Sequence, residues 1–453
     1  MLRRSVCDRN YSVAVELDEH VDLRALRRAF PERYPCLLES TARNETLGRF
    51  DILFACPGEE LVLTADGLGG PAHGDSFLAE LDQWWLREQG TNEVAFLPFT
   101  GGWFVYLGYE LAGEIEPQLR TASDPDLPVA FALRCRAAVV REALNGRCWL
   151  VYEHDVEEQV PDIVADVAAS TGSSEGPAAL ARIEEEPEHV FLEAVNAAKE
   201  YIAAGDIYQA NLSRQWTANY GAAPDAMSLY AALAESNPAP FAGVASHDGA
   251  TIISSSPERL LKLRDGIAST RPIAGTRPRA PDHSTDHALS KELFAHPKER
   301  AEHVMLIDLE RNDLGRVCRP GTVVVDEMMV LESYAHVHHI VSNVRGELRD
   351  DVTPGAAIRA VFPGGTITGC PKVRCMEIIS ELENGPRGAY TGSMGYLNRD
   401  GSLDLNILIR TMVLRENALR FRAGAGIVAD SDPVAELGET RAKAKGLRKA
   451  IDP

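Results

Sequence analysis

The chain has 453 residues, 45% hydrophobic and 25% charged, which is ordinary globular usage and length enough for one large domain or two to three average ones. A formal net charge of −21, from 67 acidic against 46 basic residues with no long Lys/Arg block, excludes a general binder of nucleic-acid backbones. Eight cysteines without a C-x-x-C pair argue against zinc and redox motifs, no apolar run approaches bilayer length, and a reducing, cytoplasmic setting without membrane partners is expected.

Short strand-like runs come first, at Tyr11–Val15, Phe50–Phe54 and Leu61–Leu63, and Phe77–Glu88 reads as a helix. Pro98–Tyr109 is rich in glycine and aromatic residues and reads as a packed turn leading into a strand. Between Ala168 and Pro177 small and breaker residues cluster, as in a linker or surface loop. It separates an N-terminal subdomain, 1–165, from a larger C-terminal subdomain, 185–453, expected to pack intimately against it.

His189–Ala204 has helical apolar spacing and stops at Gly205-Asp206. Tyr208–Trp216 then alternates, with Gln209, Asn211, Ser213 and Gln215 on one face and Tyr208, Ala210, Leu212 and Trp216 on the other. The polar face either meets water or lines a polar cleft. A strand at Thr251–Ile253, a helix from about Ala288 through Asp308, and strands at Val323–Val325 and His336–Val344 are expected next. Val373–Leu382 reads as a helix, and the Leu419–Arg422 strand precedes a last helix starting near Pro433. The pattern is mixed α+β, with antiparallel meanders rather than strict β-α-β alternation.

Two glutamate pairs stand out. Glu299/Glu302 and Glu436/Glu439 each have i, i+3 spacing in helical segments, so each pair projects from one helix face. If the two faces converge, a hard divalent ion suits the cage, with water and an anionic substrate completing its shell. Each pair alone reads equally as a solvated face, because Glu439 and Lys443 are i, i+4 in the favourable order.

Phe362–Lys372 brings Gly364, Gly365 and Gly369 up to a helix start, but Cys370 occupies the place where a Walker loop needs its lysine. Backbone N–H groups and a helix N-terminus there suit an anion or an ordinary cap. Gly424 and Gly426 inside a strand mark close approach, by a ligand carboxylate or by a neighbouring backbone. Arg410 lies in the apolar run Leu408–Thr411, read as a strand, where its fork suits a carboxylate, of a ligand or of a structural salt bridge. His336, His338 and His339 form H-x-H-H, with His339 facing opposite to the other two; lacking further ligands, an acid–base or hydrogen-bonding role is favoured over a transition metal. Ser255–Arg259 and Arg271–Arg279 are turn-rich, and Arg271, Arg277 and Arg279 make the second a positive loop.

Arg271–Arg279, Lys298–Gly315, Gly365–Lys372, Ala423–Asp432 and Glu436–Lys443 occur in the order and spacing of the chorismate-utilising enzyme family. The chain resembles that family over Phe191–Ile451, and more weakly through Leu37–Ser40 and Pro98–Gly102. The resemblance implies an α+β fold, a large two-sheet α/β sandwich of the anthranilate synthase component I type with flanking helices. It implies Mg²⁺ held principally by Glu302 and Glu439, supported by Glu299 and Glu436. It places Thr366, Tyr390, Arg410, Gly424, Ala425, Gly426 and Lys443, with Gly275 and Thr276, around the substrate, and His339 near the departing C4 hydroxyl.

Gln209 matches a position where the water-adding members carry a lysine base. A glutamine cannot deprotonate water, so ammonia is the expected nucleophile. Tyr208–Leu212, Gly364–Gly369 and Asn237–Gly243 are similar to the aminodeoxychorismate synthase component I group. They imply amination of chorismate to 4-amino-4-deoxychorismate, toward 4-aminobenzoate and folate. Ala274 points instead to anthranilate synthase component I, which yields anthranilate and pyruvate. It replaces the lysine of the first group's Pro-Ile-x-Gly-Thr element and cannot form a ring adduct.

Leu38, Glu39 and Ser40, with Asn237 and Pro238, resemble an element that binds tryptophan in the family. No G-x-C-x-G glutaminase motif occurs, so ammonia is expected from a separate glutaminase subunit. The alternative of another class is a non-catalytic aromatic-amino-acid-binding regulatory subunit. Such a subunit would normally have lost its metal carboxylates or Arg410, and all are present.

Overall fold

β-branched and aromatic runs with period-two burial make strands here, and turn residues close them into antiparallel neighbours. The computed structural model describes residues 12–17, 21–42, 48–91, 94–170, 180–280, 282–295, 297–333 and 337–452. Residues 171–177 of the expected linker, and His336, lie outside them. The 21 strands among the described residues join one hydrogen-bonded network with antiparallel pairing throughout. Helices flank the network, so the α+β expectation holds.

The parts before and after the expected linker share strands. Cys36–Glu39 pairs with Phe241–His247, and Gly102–Leu107 pairs with Ser393–Asn398. The longest strand, Phe50–Thr64, shifts register against Ala130–Glu142 between Pro57 and Glu60, a bulge that bends the network. Apolar side chains from both halves fill the same cores. One contains Leu37, Leu53 and Val139 together with Trp216, Phe421 and Leu447. Among the described residues no helix is long and apolar enough to cross a membrane.

Two strands carry the floor of the site. Gln209–Tyr220 and Ala418–Ile427 run side by side, with Gly424 opposite Ser213 and Gly426 opposite Asn211. Trp216 stacks on Phe421 at 5.4 Å, anchoring the apolar face. Arg214 shares that face, fully buried, and is held by Glu185 and by the rings of Phe191 and Trp216.

Two expectations about local structure are corrected. The single helix over 288–308 is two, His283–Ala295 and Pro297–Gly315. Pro297 lacks an N–H to continue the first helix and suits the first position of the second. Arg410 is not inside a strand. It precedes the Thr411–Arg415 strand with φ 55°, a left-handed backbone that turns it out of the ladder.

Candidate active site

The glycines of the Ala418–Ile427 strand are a consequence of what lies over them. A side chain on Gly424 would begin 2.6 Å from Tyr390 Oη and 2.7 Å from Asn211 Oδ1; one on Gly426 would begin 2.4 Å from Gln209 Nε2. The polar face of the Gln209–Tyr220 strand thus covers the glycine pair. Gln209 Oε1 and Asn211 Oδ1 are buried acceptors without a hydrogen-bond partner. Buried acceptors left open are the lining a donor-bearing ligand needs.

Cations stand around this floor. Lys443, from the Pro433–Ile451 helix, donates to the Gly424 carbonyl at 3.0 Å and pairs with Glu439 at 2.6 Å. The Arg410 guanidinium has no direct ion pair among the described residues. Burial draws its pKa down, against Tyr390, Glu258 and Glu439 nearby. A half-buried guanidinium without a carboxylate partner is set up for an anionic ligand. The buried Tyr390 ring is backed by Arg387, which also packs on Tyr109 and pairs with Glu383 at 2.6 Å.

His339 faces this group and His338 faces away, as strand alternation requires. His338 joins Asp286 at 3.0 Å and Ser333 at 2.7 Å. His339 is buried, hydrogen-bonded to the Gly275 backbone, and pushed down to about 4 by burial and then by Arg410, so its imidazole is neutral at neutral pH. Gly275 itself has φ +70° at a bulge, and a Cβ there would start 2.9 Å from Glu299 Oε2. Ala274 is buried beside it, paired across the ladder with Ile340. Ala425 is buried between the two glycines. The side chain of Thr276 lies outside the described residues.

The carboxylates expected to hold a metal are dispersed among partners. Glu299 pairs with Arg277 at 3.2 Å, Glu436 accepts from Ser431 at 2.6 Å, Glu439 pairs with Lys443, and Glu302 is half-buried on the helix that carries Glu299. Among the described residues no group of three or more His, Cys, Asp or Glu is arranged as a metal cluster. The donor set still suits Mg²⁺, being carboxylate oxygen only. Glu299 reaches this site at Gly275, and Glu439 reaches it at Arg410.

The sequence reading missed a buried acid with a raised pKa here. Glu258 is 4% exposed, accepts from Ile273 N at 3.2 Å, and lies beside Thr366, Arg410 and Lys443. Burial pushes it up to about 7, so it carries a proton near neutral pH in spite of those partners. Thr366 Oγ1 is buried and unpartnered next to it. The one sequence signal was the turn-rich Ser255–Arg259 segment, which by itself says nothing of burial.

The residues of the tryptophan-type element divide between two cavities that share Glu39 and the chain beside them. Leu38 and Glu39 line a cavity of about 570 Å³ with Phe50, Pro240, Phe241 and Met394. Ser40 opens on a different pocket, and neither Asn237 nor Pro238 lines either one. Asn237 instead donates to Ser255 O at 3.1 Å, tying down the chain ahead of Pro240. Glu39 is already held by Arg24, Arg141 and Tyr230 at 2.8–2.9 Å.

Residues 58–449 match the family described as chorismate binding enzyme. The chain belongs to that family. It is 44% identical over 366 residues to the anthranilate synthase component I-like protein of Synechocystis sp., covering 80% of this chain and 75% of that one. It is 38% identical over 407 residues to aminodeoxychorismate synthase component 1 of Bacillus subtilis, covering 85% and 86%. Anthranilate synthase component I of Streptococcus pneumoniae has the same fold, with a TM-score of 0.80 at 30% identity over 88% of this chain and 92% of that one. This chorismate-binding chain is therefore an enzyme of the anthranilate synthase/aminodeoxychorismate synthase group.

Proposed function

We propose that this chain aminates chorismate with ammonia, in the presence of Mg²⁺, to 4-amino-4-deoxychorismate, as the first component of an aminodeoxychorismate synthase. The observation that carries the reading is Glu258, an acid raised to about 7 beside an unpaired arginine. Chorismate brings two carboxylates and a hydroxyl leaving group. Arg410, Lys443 and the Tyr390 hydroxyl suit the carboxylates, and the glycine floor lets them approach the backbone.

Glu258 gives its proton to the departing oxygen, which leaves as water with the electron pair of the broken C–O bond. The ammonia lone pair forms the C–N bond, and the nitrogen then sheds one proton. His339, neutral at neutral pH, hydrogen-bonds and orients without adding charge. Gln209 is an amide and cannot activate water, which supports ammonia over hydration. Mg²⁺, when bound by Glu302 and Glu439 with Glu299 and Glu436 in support, supplies positive charge toward a substrate carboxylate. Ammonia comes from a separate glutaminase subunit, in the cytoplasm.

Ala274 favours a second reading, anthranilate synthase component I. No side chain there can hold the ring covalently, so nitrogen must bond to the ring directly. The test is incubation of the purified chain with chorismate, MgCl₂ and an ammonium salt. A product that a separate lyase converts to 4-aminobenzoate supports the first reading. Fluorescent anthranilate with pyruvate replaces it by the second. No consumption of chorismate sinks both and leaves a regulatory subunit.

A further inference from the structure

The chemistry outlined above leaves one buried cation beside the site without a part. Arg387 is 5% exposed, and its guanidinium uses all five of its N–H donors. Nε and Nη2 donate to the two oxygens of Glu383 at 3.0 and 2.6 Å. Nη2 also donates to the Asn211 carbonyl at 2.6 Å, and Nη1 donates to the Ile367 carbonyl and to Thr391 Oγ1, both at 3.2 Å.

These partners belong to separate segments of the site. Asn211 stands on the polar face of the Gln209–Tyr220 strand, Ile367 follows Thr366, and Thr391 follows Tyr390. The Tyr390 end is gripped most closely. The Arg387 carbonyl accepts from Tyr390 N at 3.0 Å, Thr391 Oγ1 donates to the Tyr390 carbonyl at 2.5 Å, and the guanidinium lies 5.6 Å from the centre of the Tyr390 ring. Thr391 has φ 64°, a conformation that a β-branched residue rarely adopts and keeps only where its surroundings hold it.

Glu383 has donors besides Arg387: Arg422 at 3.1 Å, and the N–H and hydroxyl of Ser213 at 2.8 and 3.0 Å. What Arg387 adds is a fixed span. One flat group touches the chain at Asn211 and at the Tyr390–Thr391 turn. These two places carry Asn211 Oδ1 and Tyr390 Oη, which lie 2.7 and 2.6 Å from the point where a side chain on Gly424 would begin. A lysine has three donors and no plane, so it cannot make these contacts together.

We propose that Arg387 is a positioning residue for the substrate, holding the Tyr390 hydroxyl at a fixed place against Asn211 over Gly424, where it meets a chorismate carboxylate. The proposal rests on the reading of this floor as the place that receives that carboxylate. Arg387 acts through Tyr390 and makes no contact with the ligand itself. Its fork sets the gap between two segments that are distant in the chain, and the strained Thr391 turn is held as part of the same clamp.

Arg387→Lys keeps the charge beside Glu383 but not the fork. Titration of chorismate into the protein, with MgCl₂ and no ammonium, should give a Kd about tenfold above wild type, the low end for a hydrogen bond to a charged group. Tyr390→Phe should weaken binding by about the same factor. Because Arg387 acts through the Tyr390 hydroxyl, the double variant should bind within about threefold of the weaker single one, whereas independent effects would multiply to about a hundredfold. A Kd for Arg387→Lys less than about threefold above wild type overturns the proposal, as does multiplication in the double variant. If Arg387→Lys does not fold, Thr391→Val decides, since it keeps the shape and removes only the hydroxyl between Arg387 and Tyr390. Weaker binding by about threefold or more supports the clamp, and a smaller change overturns it. Hydrogen exchange of the ligand-free protein gives a readout that needs no substrate. The amides of residues 388–392 should exchange faster in the variant than in wild type while those of the Gly102–Leu107 strand do not, and equal exchange at 388–392 overturns the proposal. If the wild type binds no chorismate, the functional reading fails, while the exchange still decides whether Arg387 holds the Tyr390 turn.

Discussion

Replacing Glu258 by glutamine should separate function from stability. The carboxyl stands at about 7 in the folded protein against an ordinary 4.5. Below pH 4.5 both folded and unfolded chains hold the proton, and Glu258 has no linked effect. Between 4.5 and about 7 the unfolded chain loses it and the folded chain does not, so the native state is progressively destabilised. Above about 7 the loss levels off at about 3 kcal/mol, from 1.36 kcal/mol for each pH interval spanned. Glu258→Gln removes that cost, and its amide still accepts from Ile273 N. Urea unfolding at pH 5 and pH 8 should show a variant close to wild type at the lower pH and more stable by on the order of 2–3 kcal/mol at the higher. Chorismate consumption should fall by about 10²–10⁴-fold, the usual contribution of a positioned acid. A stability difference that stays flat with pH would refute the assignment of burial as the cause. Full activity in the variant would refute the role of Glu258 as the acid.

Other substitutions address the rest of the site. Gly424→Ala puts a methyl 2.6–2.7 Å from Tyr390 Oη, Asn211 Oδ1 and the Leu212 carbonyl; a loss of about 1–3 kcal/mol in denaturant unfolding is expected, with weaker chorismate binding by titration, and unchanged values of both would show that the floor yields. Arg410→Lys keeps the charge but not the fork, so KM for chorismate should rise about 10–100-fold, the worth of a charged hydrogen bond; an unchanged KM places the carboxylate elsewhere. MgCl₂ should raise the melting temperature of wild type but not of Glu439→Gln, and a chelator should abolish turnover; full turnover in chelator excludes the ion. Arg387→Met leaves Glu383 with Arg422 at 3.1 Å and the N–H and hydroxyl of Ser213 at 2.8 and 3.0 Å, and breaking such a buried pair should cost about 3–5 kcal/mol; a loss below 1 kcal/mol in denaturant unfolding would mean that Arg422 and Ser213 suffice.

Where local pattern governs, sequence and structure agree. The Phe77–Glu88 helix has the expected bounds, because Ser76 caps it and its apolar residues repeat at helical spacing. The polar face of the Gln209–Tyr220 strand follows from period two alone, and so does the opposed orientation of His338 and His339. Apolar periodicity alone predicts one helix over 288–308, whereas Pro297, which lacks an N–H, marks where the second helix begins.

The sequence by itself determined the strands, the helices, the family motifs and the paired glutamates, since each depends on residues a few positions apart. Only the tertiary structure decided that Glu258 is an acid with a raised pKa. A carboxyl is raised by what surrounds it, and here those surroundings come from segments scattered between Ile273 and Lys443. The glycine floor divides the same way: Gly424 and Gly426 were visible as oddities in a strand, but the side chains that require them come from Asn211, Gln209 and Tyr390, brought over them only by folding.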